Sequence, residues 1–362
     1  MITMKNQTHE YKEYISMLDN TGYIFKMDTL GMFKMLDSLP NEIKNMETFT
    51  LGYDLDPKKY DNIVICGMGG SAMGGHIFKS YLWNKANIPI EIVSQYNLPK
   101  YVSNRTLAVV ISYSGETEET ISMLKEAINL NADILCITSG GTIKDMAIKH
   151  SLKHVIVPPG YPPRMAVSFL TIPLLLIGDS FKWSHSKSEL LSVYSDLSVM
   201  KTQNLSSNIP YEYNIAKQIA LKLLWKNINI FSTTPLMYPA ALRFKTELNE
   251  NSKITAALNY FPEMNHNDAE GWAGGSFLNR VAVIFRDKAE PQYLKERVEL
   301  TKEIIMDPND IIELYPKGEN DLSRVLSQIY IGDYISLYLA ILYNHDPGPV
   351  KVVQKIKSSR KS

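Results

Sequence analysis

Asp61–Gly75, DNIVICGMGGSAMGG, decides the fold. An apolar run, Asn62–Cys66, breaks on Gly67, Gly69 and Gly70, and Ser71 then opens a helical pattern that continues to Asn84. A run that is apolar at nearly every position fits a strand covered on both faces. Glycines between strand and helix permit a tight turn and close approach of a ligand to the backbone. Working outward, the same rhythm repeats. Strands are expected at Ile88–Ser94, Leu107–Ser112, Ile134–Thr138 and His154–Val157, and helices at Thr117–Asn131, Thr142–Lys149 and Met165–Ile177. This alternation predicts an α/β fold with a doubly wound parallel sheet flanked by helices.

A second alternation follows Lys182–Ser207, a polar, Ser- and Lys-rich stretch whose Leu190–Met200 part reads as an amphipathic helix. Helix Tyr213–Leu224, strand Ile228–Ser232 and helix Pro239–Asn249 come first. Strands Arg280–Phe285 and Ile311–Tyr315 then flank helix Pro291–Ile305, and a long apolar helix runs over Leu322–Tyr343. The expected division is an N-terminal helical extension (1–59), a first domain (60–181), a linker (182–207), a second domain (208–345) and a tail helix (346–362). The halves share rhythm but little identity, so any repeat is one of fold.

Lys+Arg and Asp+Glu number 38 each, so net charge gives no reason to expect nucleic acid or an anionic membrane as partner, and an anionic ligand needs a local site. Cys66 and Cys136 lie in apolar runs and read as buried, reduced strand residues. C-x-x-C and H-E-x-x-H patterns are absent, which argues against a structural metal. The N-terminus has no apolar core of a secretory signal, and the most apolar stretch, Phe169–Gly178, is far shorter than the ~20 residues a membrane span requires. A soluble, cytoplasmic protein is expected.

The glycine loop formally satisfies G-x-G-x-x-A. A dinucleotide site wants an acidic residue at the end of the second strand, where Ser94 and Gln95 stand, with Glu91 internal. No Lys-Ser/Thr pair follows the glycines, so a P-loop is also excluded. A smaller phosphorylated ligand on the helix start is the favoured reading, with a tight turn alone and a nucleotide as the alternatives. The second loop, VVISYSGETEET (Val109–Thr120), sets Ser112, Ser114 and Thr117 across a strand end and a helix start. Read alone it is an ordinary N-cap with an acidic first turn. Two such loops at the carboxyl edge of one parallel sheet are better read as a neutral cradle of donors for a phosphate. Together they resemble the sugar isomerase (SIS) fold, whose Ser-x-Ser-Gly-x-Thr loop holds a sugar phosphate. The resemblance implies two SIS-type domains and makes Gly70, Ser71, Ser112, Ser114 and Thr117 the phosphate contacts.

Aldose–ketose isomerisation needs a base to move a proton between C1 and C2, help in ring opening, and positive charge near the enediolate. Arg243–Lys253, RFKTELNENSK, offers Glu247 and Glu250, which any solvated helix face would display, although Asn249-Glu250-Asn251 is a poor helical sequence. His266 stands between two asparagines ahead of Trp272, and a loop histidine by itself says little. Taken jointly, Lys245–Lys253 and Asn265–Trp272 resemble the archaeal-type bifunctional phosphoglucose/phosphomannose isomerases, with their Lys-Thr-x-x-Asn-Glu-Asn-x-Lys and Asn-His-Asn segments. That resemblance implies Glu250 as the C1/C2 base, His266 as the ring-opening group donated by the partner of a homodimer, and Arg164 as the enediolate-stabilising cation.

It also implies an active-site lysine in the tail helix, placed on Lys357 with Lys355 competing, and no metal or organic cofactor. The likeness runs from about residue 60 to the end, leaving Met1–Lys59 and Lys182–Ser207 outside it. One departure is visible, Gly348 where the family often has Thr between two prolines, and it bears on the mannose epimer. The expected reaction is isomerisation of glucose 6-phosphate and mannose 6-phosphate with fructose 6-phosphate through a cis-enediol. Isomerisation of a pentose 5-phosphate or amino-sugar 6-phosphate, or a silent sugar-phosphate sensor, are the alternatives.

Overall fold

The apolar run Asn62–Cys66 forms strand β1, buried from Ile63 onward, in a computed structural model that describes residues 4–274 and 279–359. It pairs on both sides, with β2 (Ile90–Val93) and β3 (Thr106–Ile111). Beyond β3 lie β4 (Asp133–Thr138) and β5 (Lys153–Ile156), all parallel in the order β2-β1-β3-β4-β5. Every residue of β3 is buried, as a central strand covered on both faces requires. The helices Gly70–Tyr81, Glu118–Asn129, Gly141–Lys149 and Val167–Ser180 match the expected ones within a few residues.

Cys66 and Cys136 both pair with Val110, one from each side, so they lie two strand spacings apart, about 9.5 Å. That separation is too wide for a disulfide. Both are buried and free, and burial pushes each thiol up to about 12.

The second sheet contains β6 (Asn227–Ser232), β7 (Ala256–Tyr260), β8 (Arg280–Phe285) and β9 (Ile311–Leu314), parallel, in the order β7-β6-β8-β9. Strand β7 has no counterpart among the expected strands. It pairs only with β6, and its Ala-Ala-Leu-Asn-Tyr sequence carries none of the β-branched signal of a central strand.

Two compact units result, and their boundaries differ from those expected. One holds residues 1–38, 196–317 and 326–362 with the second sheet; the other holds 39–195 and 318–325 with the first. The stretch expected as a linker is largely the helix Ser186–Met200 followed by a π-helical turn, Lys201–Leu205. The helical extension is present as Met4–Asp19, Thr21–Met27 and Met32–Asn45, but the division falls inside the last of these.

The membrane argument also needs correction. The helix Asp321–Leu342 is 22 residues long and apolar enough to cross a bilayer, so Phe169–Gly178 is not the segment to test. Its most apolar window is 94% buried, and its Asp333 and Ser336 are engaged in polar contacts inside the protein. This is the pattern of a core helix. Among the described residues no group of three or more His, Cys, Asp or Glu is placed to hold a metal ion.

Candidate active site

The unit that holds the first sheet builds its site from the ends of β1 and β3. Gly69, at φ +50, caps the helix that begins at Gly70, and a Cβ on Gly70 would come within 2.9 Å of the backbone nitrogen of Arg164. Glycine is needed there because the Pro163–Met165 turn lies directly against the helix start. Arg164 is buried, 3% exposed, in that turn.

The serine loop is tied to the same place. The Ser71 hydroxyl accepts from the Tyr113 N–H at 3.1 Å, joining the two loops directly. Ser112, fully buried, donates to Thr117 Oγ1 at 3.0 Å and accepts from the Gly115 N–H at 3.2 Å. Ser114 is exposed, and its hydroxyl accepts from the Glu116 N–H at 3.3 Å. Thr117 stands at the N-cap position of the helix Glu118–Asn129 without a side-chain capping hydrogen bond. Gly70, Ser71, Ser112, Ser114 and Thr117 are therefore brought together. Two of the hydroxyls, those of Ser71 and Ser112, already hold the loops in shape.

Tyr113 and Gly115, not singled out in the sequence, lock the cradle. Tyr113 Oη donates to the Pro158 carbonyl at 2.7 Å and accepts from the Tyr161 N–H at 3.0 Å. Gly115, at φ +71, lies so close to the loop after β4 that its Cβ would sit 1.8 Å from the Gly140 carbonyl oxygen. The Ser-x-Ser-Gly spacing was the available signal for this glycine.

The unit that holds the second sheet places the acidic motif on a distorted helix end. The helix Tyr238–Glu247 passes into a π-helical turn, Leu248–Ser252, which carries Glu250 half-buried, and Lys253 closes it at φ +62. The asparagines and serine explain the distortion, because their side chains compete for the hydrogen bonds of the helix ladder. Asn249 Nδ2 donates to the Ile254 carbonyl at 2.7 Å, and Ser252 Oγ to the Ser336 carbonyl at 2.7 Å. Lys253 Nζ donates to the carbonyls of Glu250 and Pro349, the latter at 2.7 Å. π-Turns inside helices are frequent at functional sites.

Glu247 is not on a solvated face. It is 2% exposed and pairs with buried Arg243 at 3.2 Å, while Arg243 Nε and Nη2 reach Asp333 at 2.8 and 2.9 Å. Asn251 Nδ2 donates to Glu247 Oε2 at 2.8 Å and to Ser336 Oγ at 2.9 Å, and Ser336 Oγ donates to the Asp333 carbonyl at 2.7 Å. Two buried carboxylates thus face one guanidinium. Burial raises the Asp333 carboxyl above its ordinary range; Arg243 opposes this and Glu247 reinforces it.

His266 ends the turn Glu263–His266 and is exposed. Its neighbours are fixed: Asn265 Nδ2 donates to Thr301 Oγ1 at 2.7 Å, and Asn267 Nδ2 to Glu263 Oε1 at 3.1 Å. Lys355 and Lys357 lie exposed on the helix Lys351–Ser358. The segment before that helix is covered by residues 20–31, for which the sequence suggested no role. Thr29 Oγ1 donates to Asp346 Oδ2 at 2.5 Å, and a Cβ on Gly348 would meet Leu30 Cγ at 2.7 Å. Leu30 fills the space a threonine would use.

Comparison with known proteins shows the family. Residues 58–163 match the SIS domain, and residues 212–359 match the bacterial phospho-glucose isomerase C-terminal SIS domain. A bifunctional phosphoglucose/phosphomannose isomerase of Caldicellulosiruptor bescii is 34% identical over 336 residues, covering 90% of this chain and 98% of that one. Another, of Aquifex aeolicus, is 34% identical over 334 residues, covering 91% and 98%. Among solved structures, a hypothetical protein of Thermus thermophilus superimposes with a TM-score of 0.68 at 15% identity, covering 98% of this chain and 94% of that one. This last is a likeness of fold.

Proposed function

Since this chain belongs to the bifunctional phosphoglucose/phosphomannose isomerase family, we propose that it interconverts glucose 6-phosphate and mannose 6-phosphate with fructose 6-phosphate. The observation that carries the reading is the neutral cradle. Two loops at the carboxyl ends of adjacent strands, joined by the Tyr113 N–H to Ser71 contact, present hydroxyls and helix-start N–H groups beside a buried arginine. Such a site takes a phosphate on a small molecule without the acidic ribose partner a dinucleotide needs.

Ser114, Thr117 and the backbone N–H groups at the helix starts bind the phosphate, while Ser71 and Ser112 hold the loops. Glu250 removes the C2 proton of the open-chain aldose as the C2 hydroxyl proton passes to O1. Returning the carbon proton to C1 completes the ketose through a cis-enediol. Delivery back to either face of C2 yields the glucose or the mannose epimer. Arg164 stabilises the enediolate charge, and His266 and the tail lysine, Lys357, assist ring opening. His266 is exposed on its own chain, which suits its donation to the partner of a homodimer.

The test is incubation of purified protein, dialysed against chelator, with fructose 6-phosphate, followed by separation of the hexose 6-phosphates formed. Both glucose 6-phosphate and mannose 6-phosphate are expected. Neither product, with binding retained, would leave only a sensor.

A further inference from the structure

We propose that Asn251 is a positioning residue for Glu250, fixing the carboxylate through the buried ring Asn251–Glu247–Arg243–Asp333–Ser336. The proposal rests on the reading of Glu250 as the base. Asn251 is the next residue in the π-turn and is 1% exposed. Both hydrogens of its amide are used, one on Glu247 Oε2 at 2.8 Å and one on Ser336 Oγ at 2.9 Å. Those two acceptors belong to different helices, Tyr238–Glu247 and Asp321–Leu342. One side chain therefore sets the turn against both.

The ring closes on itself. Ser336 Oγ donates to the Asp333 carbonyl at 2.7 Å, the Asp333 carboxylate accepts from Arg243 Nε and Nη2, and Arg243 holds Glu247 at 3.2 Å. Each member is nearly or fully buried, so none has water as a substitute partner. A turn held only by the backbone would let a half-buried carboxylate wander, and a displacement of about 1 Å at a reacting group costs on the order of a hundredfold in rate. Lys253 restrains the same turn from the outside, through the Glu250 and Pro349 carbonyls. Asn251 restrains it from the inside, by tying it to the charged members of the ring.

The experiment measures kcat, KM and melting temperature for Asn251→Ala, Glu250→Gln and the double variant. Asn251→Ala is expected to lower kcat by about tenfold to a hundredfold with KM within about twofold. In the Glu250→Gln background the same change is expected to have little further effect, because the residue acts through the missing base. An unchanged kcat in Asn251→Ala overturns the proposal, and so does a loss of equal size in both backgrounds, which is the mark of a merely structural role. Full activity in Glu250→Gln overturns the base assignment instead, and is read separately. If Asn251→Ala does not fold, Ser336→Ala decides. It removes one of the two acceptors and is expected to lower kcat several-fold at constant KM; no change in kcat overturns the proposal.

Discussion

Glu250→Gln is expected to reduce kcat by at least ~10², the usual worth of a positioned base, with KM and melting temperature nearly unchanged. Glutamine keeps the shape and hydrogen-bonding reach of glutamate but cannot take up the C2 proton. The sequence offers Glu247→Gln as the obvious control, and the structure disqualifies it: Glu247 is buried against Arg243 and accepts from Asn251. Its neutralisation would disturb the turn carrying Glu250. The exposed Glu303 is the proper control and should be silent.

The same variant tests the composite site. Glu250→Gln and His266→Ala should each be nearly inactive as homodimers. Random co-assembly gives about half heterodimers, each with one complete site if His266 crosses to the partner, so activity should return to roughly a quarter of wild type. Verified heterodimers without recovered activity would place both residues in one chain's site, or remove His266 from the chemistry.

How much of this was legible follows from where each signal resides. The first sheet was read almost residue by residue because its central strands are buried on both faces and therefore apolar throughout, as in Ile63–Cys66 and Leu107–Ile111. Strand β7 escaped because it is an edge, with partly exposed side chains that burial does not constrain. The helix Met32–Asn45 had a signal that went unused, since Met32, Phe33, Leu36, Leu39 and Ile43 recur at helical spacing and are all buried.

The meeting of the two loops was legible because their hydroxyls and glycines are bunched within a few residues at the ends of adjacent strands. The support beneath Glu250 was not. Arg243 and Glu247 at i, i+4 look like a surface pair, and their burial depends on Asp333, ninety residues later. No local pattern carries that information. Likewise nothing in SYSGETEE or SGGTIK says that Gly115 and Gly140 will touch.

That contact yields the largest expected effect on the fold of the cradle. Alanine at position 115 must adopt φ +71, which costs an L-residue about 1–2 kcal/mol. Its methyl group must also sit where the Gly140 carbonyl oxygen is, 1.8 Å away, with Thr138 Oγ1 at 3.0 Å. The carbonyl cannot easily retreat. Gly140 O accepts from Thr138 Oγ1 at 2.8 Å, and the Ile143 N–H donates back to the Gly115 carbonyl at 3.1 Å. Gly52→Ala separates strain from collision, because Gly52 lies in the same unit at φ +69 with nothing within 4 Å of its would-be Cβ. Gly52→Ala should cost about 1–2 kcal/mol and leave KM alone. Gly115→Ala should cost several kcal/mol more and raise KM at least tenfold, because Ser112 Oγ loses the Gly115 N–H and Thr117 loses its partner's fixed position. Melting curves and steady-state kinetics on the two variants decide the matter. Equal destabilisation by both would mean that the loop after β4 yields freely, and that it does not buttress the phosphate cradle.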